Sequence, residues 1–228
     1  MKRALAIFAK TPIPGLVKTR LTPSLSPEEA AELYRCMLMD TIARARTLQV
    51  DTLIFHQGDQ LFFQEEAGGL PLIPQHAGGL GIRLETAFST LSLLGYGPRV
   101  VIGSDAPDLP LFYIEEAFRL LEGGSEVVFG PAEDGGYYLV ALGGAHGALF
   151  TDIPWSGPDV LARSLQRVCE AGLSSSLLPS WYDVDAIADL SRPGLRDPCN
   201  GAPLTRAFIS ERGIAPWPAA EAGSLLTG

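Results

Sequence analysis

Short apolar runs alternate with longer amphipathic segments along most of this chain. The runs at 4–9 and 100–102 are apolar at every position, which is typical of strands buried on both faces. Further strands are predicted at 52–56, 70–73, 126–130, 136–142 and 176–179. Helices are predicted at 27–48, near 60–67, from the glycines at 78–81 to 94, and at 111–122, 158–171, 186–190 and 203–212. Strands that alternate with helices indicate an α/β fold with a mostly parallel central sheet and helices on both faces.

The clearest helix start in the sequence is Ser26-Pro27-Glu28-Glu29. Ser26 is a favoured N-cap, Pro27 suits the first helical position, and Glu29 is placed to complete a capping box. The apolar residues that follow recur at helical spacing, which predicts one face packed against the rest of the domain. We interpret this helix as a packing element.

The composition predicts a single folded domain. The chain has 228 residues, of which 46% are hydrophobic, and it contains no internal repeat or low-complexity linker. We expect one domain over 1–212, followed by a mobile tail at 213–228. Three cysteines without C-x-x-C spacing predict neither a disulfide framework nor a zinc site, which favours the reducing cytoplasm. No apolar stretch approaches the roughly 18 residues that a membrane span needs, and the first apolar run meets Lys10 too early for a signal peptide.

The charge pattern bears on the choice of ligand. A net charge of −9 argues against a nucleic-acid partner. The first 27 residues nevertheless carry five basic side chains and no acidic one. A basic loop on an acidic body is what an anion held through a divalent metal requires. The pattern is therefore compatible with a nucleotide.

The strand at 100–102 leads into a proline-bounded turn that carries Asp105 and Asp108. Ligands of open α/β sheets bind outside the carboxyl ends of the strands. Because Mg²⁺ takes one or two carboxylates together with substrate phosphates, Asp105 is a candidate metal ligand and Asp108 a weaker one. The alternative is structural, with Asp105 capping the next helix and Asp108 forming an Asx-turn.

The loop after the first strand carries Lys10, Gly15, Lys18 and Arg20. Its backbone N–H groups and basic side chains are expected at the same sheet edge as Asp105, where they favour a phosphate group. The loop matches neither the Walker pattern nor the dinucleotide fingerprint. The alternative is a solvated basic loop without a ligand.

Two later segments carry further candidates. Glu133-Asp134-Gly-Gly-Tyr-Tyr138 joins two predicted strands, and its glycines permit either a close approach of backbone to a ligand or an ordinary hairpin turn. Asp183 and Asp185 alternate along an extended segment, which places both carboxylates on one face. Asp185 is thus placed to complete a metal site with Asp105, and Asp183 is a weaker candidate. Alternatively, Asp185 caps the short helix at 186–190.

The chain resembles the nucleotide-diphospho-sugar transferase (GT-A-like) superfamily in four successive motifs, A-K-x-P-x-x-G-x-x-K-T-R-L, G-S-D-x-P-D-L-P, G-P-A-E-D-G-G-Y-Y-L and D-V-D-x-x-x-D-L. The likeness covers about residues 3–190. Within the superfamily the chain is most similar to the bacterial radical-SAM/selenodomain-associated, or arsenosugar-type, glycosyltransferases. Its first loop is also similar to that of 2-phospholactate guanylyltransferases, and the molybdenum-cofactor guanylyltransferases are more distant. The resemblance implies a single-domain, Rossmann-like GT-A fold.

The same resemblance implies roles for individual residues. Asp105 is the expected metal-binding acid and Asp185 its partner, with Mg²⁺ or Mn²⁺ as the cofactor. The segment from Asp134 to Tyr137 is expected to shape the acceptor side. We take Lys18, Asp105 and Asp134 as the candidate catalytic residues, and under the glycosyl-transfer hypothesis Asp134 is a candidate general base toward an acceptor hydroxyl. The residues expected to contact the nucleotide and its phosphates are Lys10, Gly15, Lys18, Arg20, Gly78, Gly79 and Arg83.

Three functions are consistent with these residues. The leading hypothesis is a metal-dependent glycosyltransferase that moves a sugar from a nucleotide-diphospho-sugar to a small-molecule acceptor, while the metal, Lys18 and Arg20 neutralise the diphosphate. The second is a nucleotidyltransferase that joins an NTP to a phosphorylated small acid and releases pyrophosphate. The third is a non-catalytic nucleotide-binding module on the same fold. The pattern departs from the resembling group at Gly79 and Gly157, positions that bear on acceptor or base contacts.

Overall fold

The computed structural model describes residues 1–22, 24–144, 146–155 and 157–214. Within these residues, seven strands form one sheet, and each overlaps a predicted run. The strands are β1 (Ala4–Lys10), β2 (Asp51–Gln57), β3 (Leu72–Pro74), β4 (Arg99–Ile102), β5 (Val127–Pro131), β6 (Tyr137–Leu142) and β7 (Ser175–Leu177).

The order of the strands across the sheet is β3-β2-β1-β4-β6-β5-β7. All neighbouring strands are parallel except those that pair with β6, which runs antiparallel to β4 and β5. The segment around Asp134 therefore closes an antiparallel hairpin. The predicted α/β fold, a single domain with a mostly parallel sheet, is confirmed.

The described residues contain α-helices and three short 3₁₀ segments. The α-helices are α1 (Pro27–Ala45), α2 (Gln60–Glu66), α3 (Leu80–Leu93), α4 (Leu111–Glu122), α5 (Val160–Glu170), α6 (Pro193–Arg196) and α7 (Pro203–Glu211). The 3₁₀ segments are Thr19–Leu21, Gly147–Phe150 and Ile187–Ser191. In the described part of the chain, none of the helices has both the length and the apolar character needed to cross a bilayer.

Helix α1 begins with the predicted capping box. The hydroxyl of Ser26 accepts a hydrogen bond of 3.1 Å from the backbone N–H of Glu29, whose carboxylate accepts one of 2.9 Å from the N–H of Ser26. The helix ends at Ala45 instead of the predicted residue 48, because the N–H groups of Thr47 and Leu48 bond three residues back in a tighter turn. The helix predicted at 186–190 is likewise a 3₁₀ segment, and α6 was not predicted.

The central strands are buried on both faces, as their uniformly apolar sequence predicts. Leu5 and Ile7 enter the core under α1 and α4, whereas Ala4 and Ala6 enter the core under α3 and α5. This alternation follows from the two-residue period of a strand. Helices on both faces leave the edge at the carboxyl ends of β1 and β4 free to form a site.

The segment after residue 180 packs against α1. Leu33 and Met37 of α1 share an apolar cluster with residues of this segment, Tyr182, Val184, Leu190, Leu195, Phe208 and Ile209. Asp40 of α1 accepts hydrogen bonds from the first N–H groups of α7. This packing carries the Asp183–Asp185 segment to the sheet edge. Most of the tail predicted at 213–228 lies outside the described residues, which end at 214.

Candidate functional site

A cavity of about 530 Å³ opens at the carboxyl ends of β1 and β4. Small-molecule sites commonly occupy about 300–1,000 Å³. Its walls come from the loop after β1, the turn after β4, the starts of α3 and β6, and the segment after residue 180. The charged and polar side chains that line it belong to Lys10, Lys18, Thr19, Arg20, Tyr34, Gln75, Arg83, Ser104, Asp105, Tyr137, Tyr138, Asp183 and Asp185. The structure thus brings residues of all four sequence motifs into one cavity.

The ammonium group of Lys18 lies between two carboxylates. Its Nζ atom is 2.5 Å from Asp105 Oδ1 and 3.0 Å from Asp185 Oδ1, and it donates a third hydrogen bond of 2.6 Å to the backbone oxygen of Val184. Burial alone would lower the pKa of Lys18, but the two carboxylates raise it above its usual value. Lys18 is therefore a charged group in direct contact with Asp105. Arg20, much more exposed, approaches the other oxygen of Asp185 at 3.4 Å.

Asp183 is the acid of this cluster that lacks a close cation. Among the described residues, its carboxylate has no hydrogen bond or ion pair, in contrast to Asp105 and Asp185. Burial raises the pKa of Asp183 to about 7, the charge of Asp105 adds to that rise, and the charge of Lys18 opposes it. The ionised form of Asp183 would be stabilised by a further cation.

The donor set of this cluster fits a divalent cation of the Mg²⁺ type. The cluster sets three carboxylates, those of Asp105, Asp183 and Asp185, against the ammonium of Lys18 and the guanidinium of Arg20, which leaves Asp183 without a cationic partner in the described part of the chain. Mg²⁺ uses one or two carboxylates and completes its shell with water and substrate phosphates. No group of three or more Asp, Glu, His or Cys side chains in the described ranges forms a metal cage.

Tyr34 of α1 joins the two segments that carry these charges. Its hydroxyl accepts a hydrogen bond of 2.9 Å from the backbone N–H of Lys10 and lies 2.9 Å from the hydroxyl of Ser104. Tyr34 and Ser104 are both buried. Burial raises the pKa of Tyr34 to about 12, and the charge of Asp105 acts in the same direction. The tyrosine is therefore neutral and sets the spacing between the ends of β1 and β4.

Asp108 does not join the cavity. Its carboxylate accepts hydrogen bonds from the hydroxyl of Tyr182 and, at 3.4 Å, from Nε1 of Trp181. The side chain is buried against the C-terminal segment, and burial raises its pKa. Asp108, predicted as a weaker metal ligand, is thus placed outside the cavity lining, where two aromatic donors occupy its carboxylate.

The structural alternatives for the other acids also fail. Helix α4 has Pro110 at its N-cap and no side-chain cap, so Asp105 does not cap it. At the 3₁₀ segment Ile187–Ser191, the carboxylate of Asp189 accepts from the N–H groups of Asp185 and Ala186. Neither Asp105 nor Asp185 is therefore used as a helix cap, and both side chains line the cavity.

Asp134 lies outside the cavity wall. It is exposed, and its Oδ1 atom accepts a hydrogen bond of 2.9 Å from the N–H of Gly136. Its charge still reaches the cavity, since it contributes to the raised pKa of Asp183. The role of Asp134 as a general base stays a prediction.

Only some of the residues predicted to contact the nucleotide line the cavity. Lys10, Lys18, Arg20 and Arg83 line the cavity, whereas Gly15, Gly78 and Gly79 are exposed and do not. Gly79 is the N-cap of α3, and that helix has no side-chain cap. Arg83 donates to the backbone oxygen of Gly78 at 2.9 Å and to Gln57 Oε1 at 3.1 Å, so Gly78 and Gln57 hold the arginine side chain in position.

Sequence reasoning missed Tyr34 and Gln75. Tyr34 sits on the inner face of a helix interpreted as packing, where a tyrosine hydroxyl on the buried face was the available signal. Gln75 follows β3, and its Nε2 atom donates to the backbone oxygens of Phe55 and Ala9 at 2.7 Å and 3.3 Å. No motif marks Gln75.

Comparisons with known proteins agree with this architecture. A family profile described as "Uncharacterized protein conserved in bacteria (DUF2064)" matches residues 38–157. A solved structure from Desulfovibrio desulfuricans G20, described as a candidate nucleotide-diphospho-sugar transferase, is 30% identical with a TM-score of 0.84, and the match covers 93% of this chain and 96% of that chain. No curated protein matches this sequence.

Two more distant structures share the fold alone. CMP:2-keto-3-deoxy-manno-octonic acid synthetase complexed with CTP is 15% identical with a TM-score of 0.56, over 93% of this chain and 100% of that chain. A manganese complex of a Mycobacterium tuberculosis H37Rv protein is 11% identical with a TM-score of 0.50, over 81% of this chain and 92% of that chain.

Proposed function

This chain belongs to the DUF2064 family, and from that premise and its cavity we propose that it is a transferase acting on a nucleotide-activated substrate. The preferred reaction is transfer of a sugar from a nucleotide-diphospho-sugar to the hydroxyl of a small-molecule acceptor. The 30% identical relative from Desulfovibrio desulfuricans G20 carries the corresponding description. From the four motifs we further propose that the chain is a glycosyltransferase of the radical-SAM/selenodomain-associated type.

The observation that carries this proposal is the convergence of opposite charges on one cavity. Asp105, Asp183 and Asp185 form its acidic wall, and Lys10, Arg20 and Arg83 are basic side chains on the same lining. A diphosphate bound through a divalent cation needs both signs of charge within one site. A purely basic loop, or a purely acidic turn, would not suit such a ligand.

Asp105 would hold the cation together with Asp185 or Asp183. When bound, Mg²⁺ or Mn²⁺ supplies charge neutralisation of the diphosphate. A described manganese complex of this fold supports the choice of ion for a test. The proposed ligands all face the cavity, and neither Asp108 nor a histidine is needed.

The basic side chains would bind and orient the phosphates. Lys10 and Arg20 reach the cavity from the first loop, and Arg83 reaches it from the first turn of α3. The α3 N-terminus has no side-chain cap, which leaves backbone N–H groups available to an anion. These groups favour a negatively charged ligand at the cavity mouth.

In the transfer step, the bond from the anomeric carbon to the diphosphate oxygen breaks and the acceptor oxygen bonds to that carbon. The nucleoside diphosphate leaves with the electron pair of the broken bond. Asp134, in the turn between β5 and β6, is the group that we propose takes the proton of the acceptor hydroxyl. The basic side chains stabilise the charge that develops on the leaving group.

Nucleotidyl transfer is the second candidate. The segment Lys18-Thr19-Arg20-Leu21 is similar to guanylyltransferase loops, and a synthetase with this fold is described in complex with CTP, a nucleoside triphosphate. The same cation and basic side chains would then stabilise attack at the α-phosphate of an NTP, with pyrophosphate as the leaving group.

Product identity distinguishes the two reactions. A thermal-shift panel of nucleotides and nucleotide sugars, with and without Mn²⁺, first identifies the donor, since a ligand at about 100 times its Kd adds about 2.7 kcal/mol of stability. The donor is then incubated with a panel of hydroxyl and phosphate acceptors. Release of a nucleoside diphosphate supports glycosyl transfer, and release of pyrophosphate supports nucleotidyl transfer. Binding without turnover would indicate a non-catalytic module, and the absence of any nucleotide binding would refute the proposal.

A further inference from the structure

Lys18 was expected to bind phosphate, but it has no free donor. An ammonium group has three N–H donors, and those of Lys18 are used by Asp105, Asp185 and the backbone oxygen of Val184. Its side chain is only 5% exposed, whereas those of Asp105 and Asp185 are 45% and 42% exposed. The lysine therefore lies beneath the two carboxylates, which face the cavity.

The backbone holds Lys18 in this position. Its φ of 48° and ψ of 37° are left-handed, a conformation that a residue with a side chain adopts only when its surroundings impose it. Val17 and Leu21 on either side are buried and anchor the loop. The left-handed backbone of Lys18, held between the buried side chains of Val17 and Leu21, thus places the ammonium group between Asp105 and Asp185.

This place is the one that a divalent cation shared by Asp105 and Asp185 would need. Two cations so close to each other in a partly buried site repel. A cation that binds both carboxylates must therefore weaken the contacts of Lys18 with them. The released ammonium would be buried without a counter-charge, which is unfavourable unless an anion reaches it.

We infer that Lys18 is a built-in counter-ion that competes with the divalent cation for Asp105 and Asp185, and that the diphosphate accepts the ammonium when the cation displaces it. Lys18 is then a positioning residue in the unliganded protein and a phosphate contact in the loaded one. The inference rests on the proposed function, because it needs a cation and a diphosphate in the same cavity. It couples the binding of the two ligands reciprocally.

The test measures Mn²⁺ binding to the purified full chain without nucleotide, from the electron paramagnetic resonance signal of free Mn²⁺. The variants are Lys18→Met and Lys18→Gln, and the glutamine variant retains hydrogen-bond donors for the carboxylates should the methionine variant fail to fold. We expect either variant to bind Mn²⁺ at least about tenfold more tightly than the wild type, a factor equivalent to one pKa unit of interaction. Arg20→Met is the matched control, because it removes a positive charge that contacts Asp185 from the outside.

Three results overturn the inference. Weaker Mn²⁺ binding in the Lys18 variants would mean that the lysine holds the acids in place for the cation. If Arg20→Met gained Mn²⁺ affinity by the same factor, the effect would follow from the loss of any nearby positive charge and not from the position of Lys18. If the wild type and Asp105→Asn bound Mn²⁺ equally well, Asp105 would not be a metal ligand. The metal site would then be refuted, and with it the cation in the proposed function. A nucleotide that binds normally in the last case would leave the rest of that function standing, so the two failures are distinguishable.

Discussion

The hydroxyl groups of Tyr34 and Ser104 lie 2.9 Å apart in the protein interior and join helix α1 to the turn after β4. The tyrosine oxygen also accepts a hydrogen bond from the backbone N–H of Lys10, where the first loop begins. One side chain therefore contacts both segments that form the charged cluster. The loop that carries Lys18 and the turn that carries Asp105 are held together by a neutral group beneath them.

Replacement of Tyr34 by Phe is expected to destabilise the protein by about 1–3 kcal/mol, because the N–H of Lys10 and the hydroxyl of Ser104 lose a buried partner. Urea unfolding measures the loss. Ser104→Ala and the double variant complete a mutant cycle, and contacting residues should show a coupling of about 0.5–3 kcal/mol. Strict additivity of the two substitutions would show that the hydroxyls do not depend on each other.

Replacement of Asp134 by Asn is expected to lower turnover by about 10²–10⁴-fold, the usual contribution of a general base. Nucleotide affinity should be unchanged, since Asp134 does not line the cavity. Steady-state rates of nucleoside diphosphate release and a separate binding titration give the two values. Glu133→Gln is a control in the same turn, because Glu133 pairs with Arg192 instead. Normal turnover in Asp134→Asn would show that a group other than Asp134 takes the proton of the acceptor hydroxyl.

The raised pKa of Asp183 predicts a pH dependence of stability in the metal-free protein. The folded state binds the Asp183 proton more tightly than the unfolded state, in which the pKa is near 3.8. The resulting stabilisation is present in full below about pH 4 and is lost as the pH rises through about 7. In EDTA, the wild type should therefore lose stability between about pH 4 and 7, whereas Asp183→Asn has no such carboxyl to titrate. The free energy of unfolding of the variant minus that of the wild type should increase over this interval.

Denaturant unfolding at a series of pH values measures that difference. Asp152→Asn is the control, since Asp152 is largely exposed and lies outside the cavity. A difference that stays constant with pH would mean that Asp183 titrates near its ordinary value.

Replacement of Gly135 by Ala is expected to disturb the turn between β5 and β6. Gly135 has a φ of +91°, and an added Cβ would lie 1.9 Å from the backbone oxygen of Pro158. Gly124 has a φ of +108° with open space around it, so Gly124→Ala isolates the backbone strain. We expect a cost of about 1–2 kcal/mol for Gly124→Ala and about 1–3 kcal/mol more for Gly135→Ala. Equal losses in urea unfolding would show that the turn and Pro158 can move apart freely.

The sheet and the start of α1 were predictable because their signals are local. The apolar runs at 4–9 and 100–102 form the central strands, and Ser26 and Glu29 form their capping box from three positions apart. The C-terminal end of α1 and the 3₁₀ segment Ile187–Ser191 were less predictable. There the choice between three- and four-residue hydrogen bonds depends on neighbours distant in the sequence.

By itself, the sequence determined that the first loop, the Asp105 turn and the Asp183–Asp185 segment would serve one edge of the sheet. Parallel strands end at a common edge, so residues that follow them meet there. Only the tertiary structure decided which side chains make contact. Lys18 and Asp185 are 167 positions apart, and they meet because the C-terminal segment packs on α1. The same packing turns Asp108 toward Tyr182 and away from the cavity, because side-chain direction is set by the partners available in the folded core.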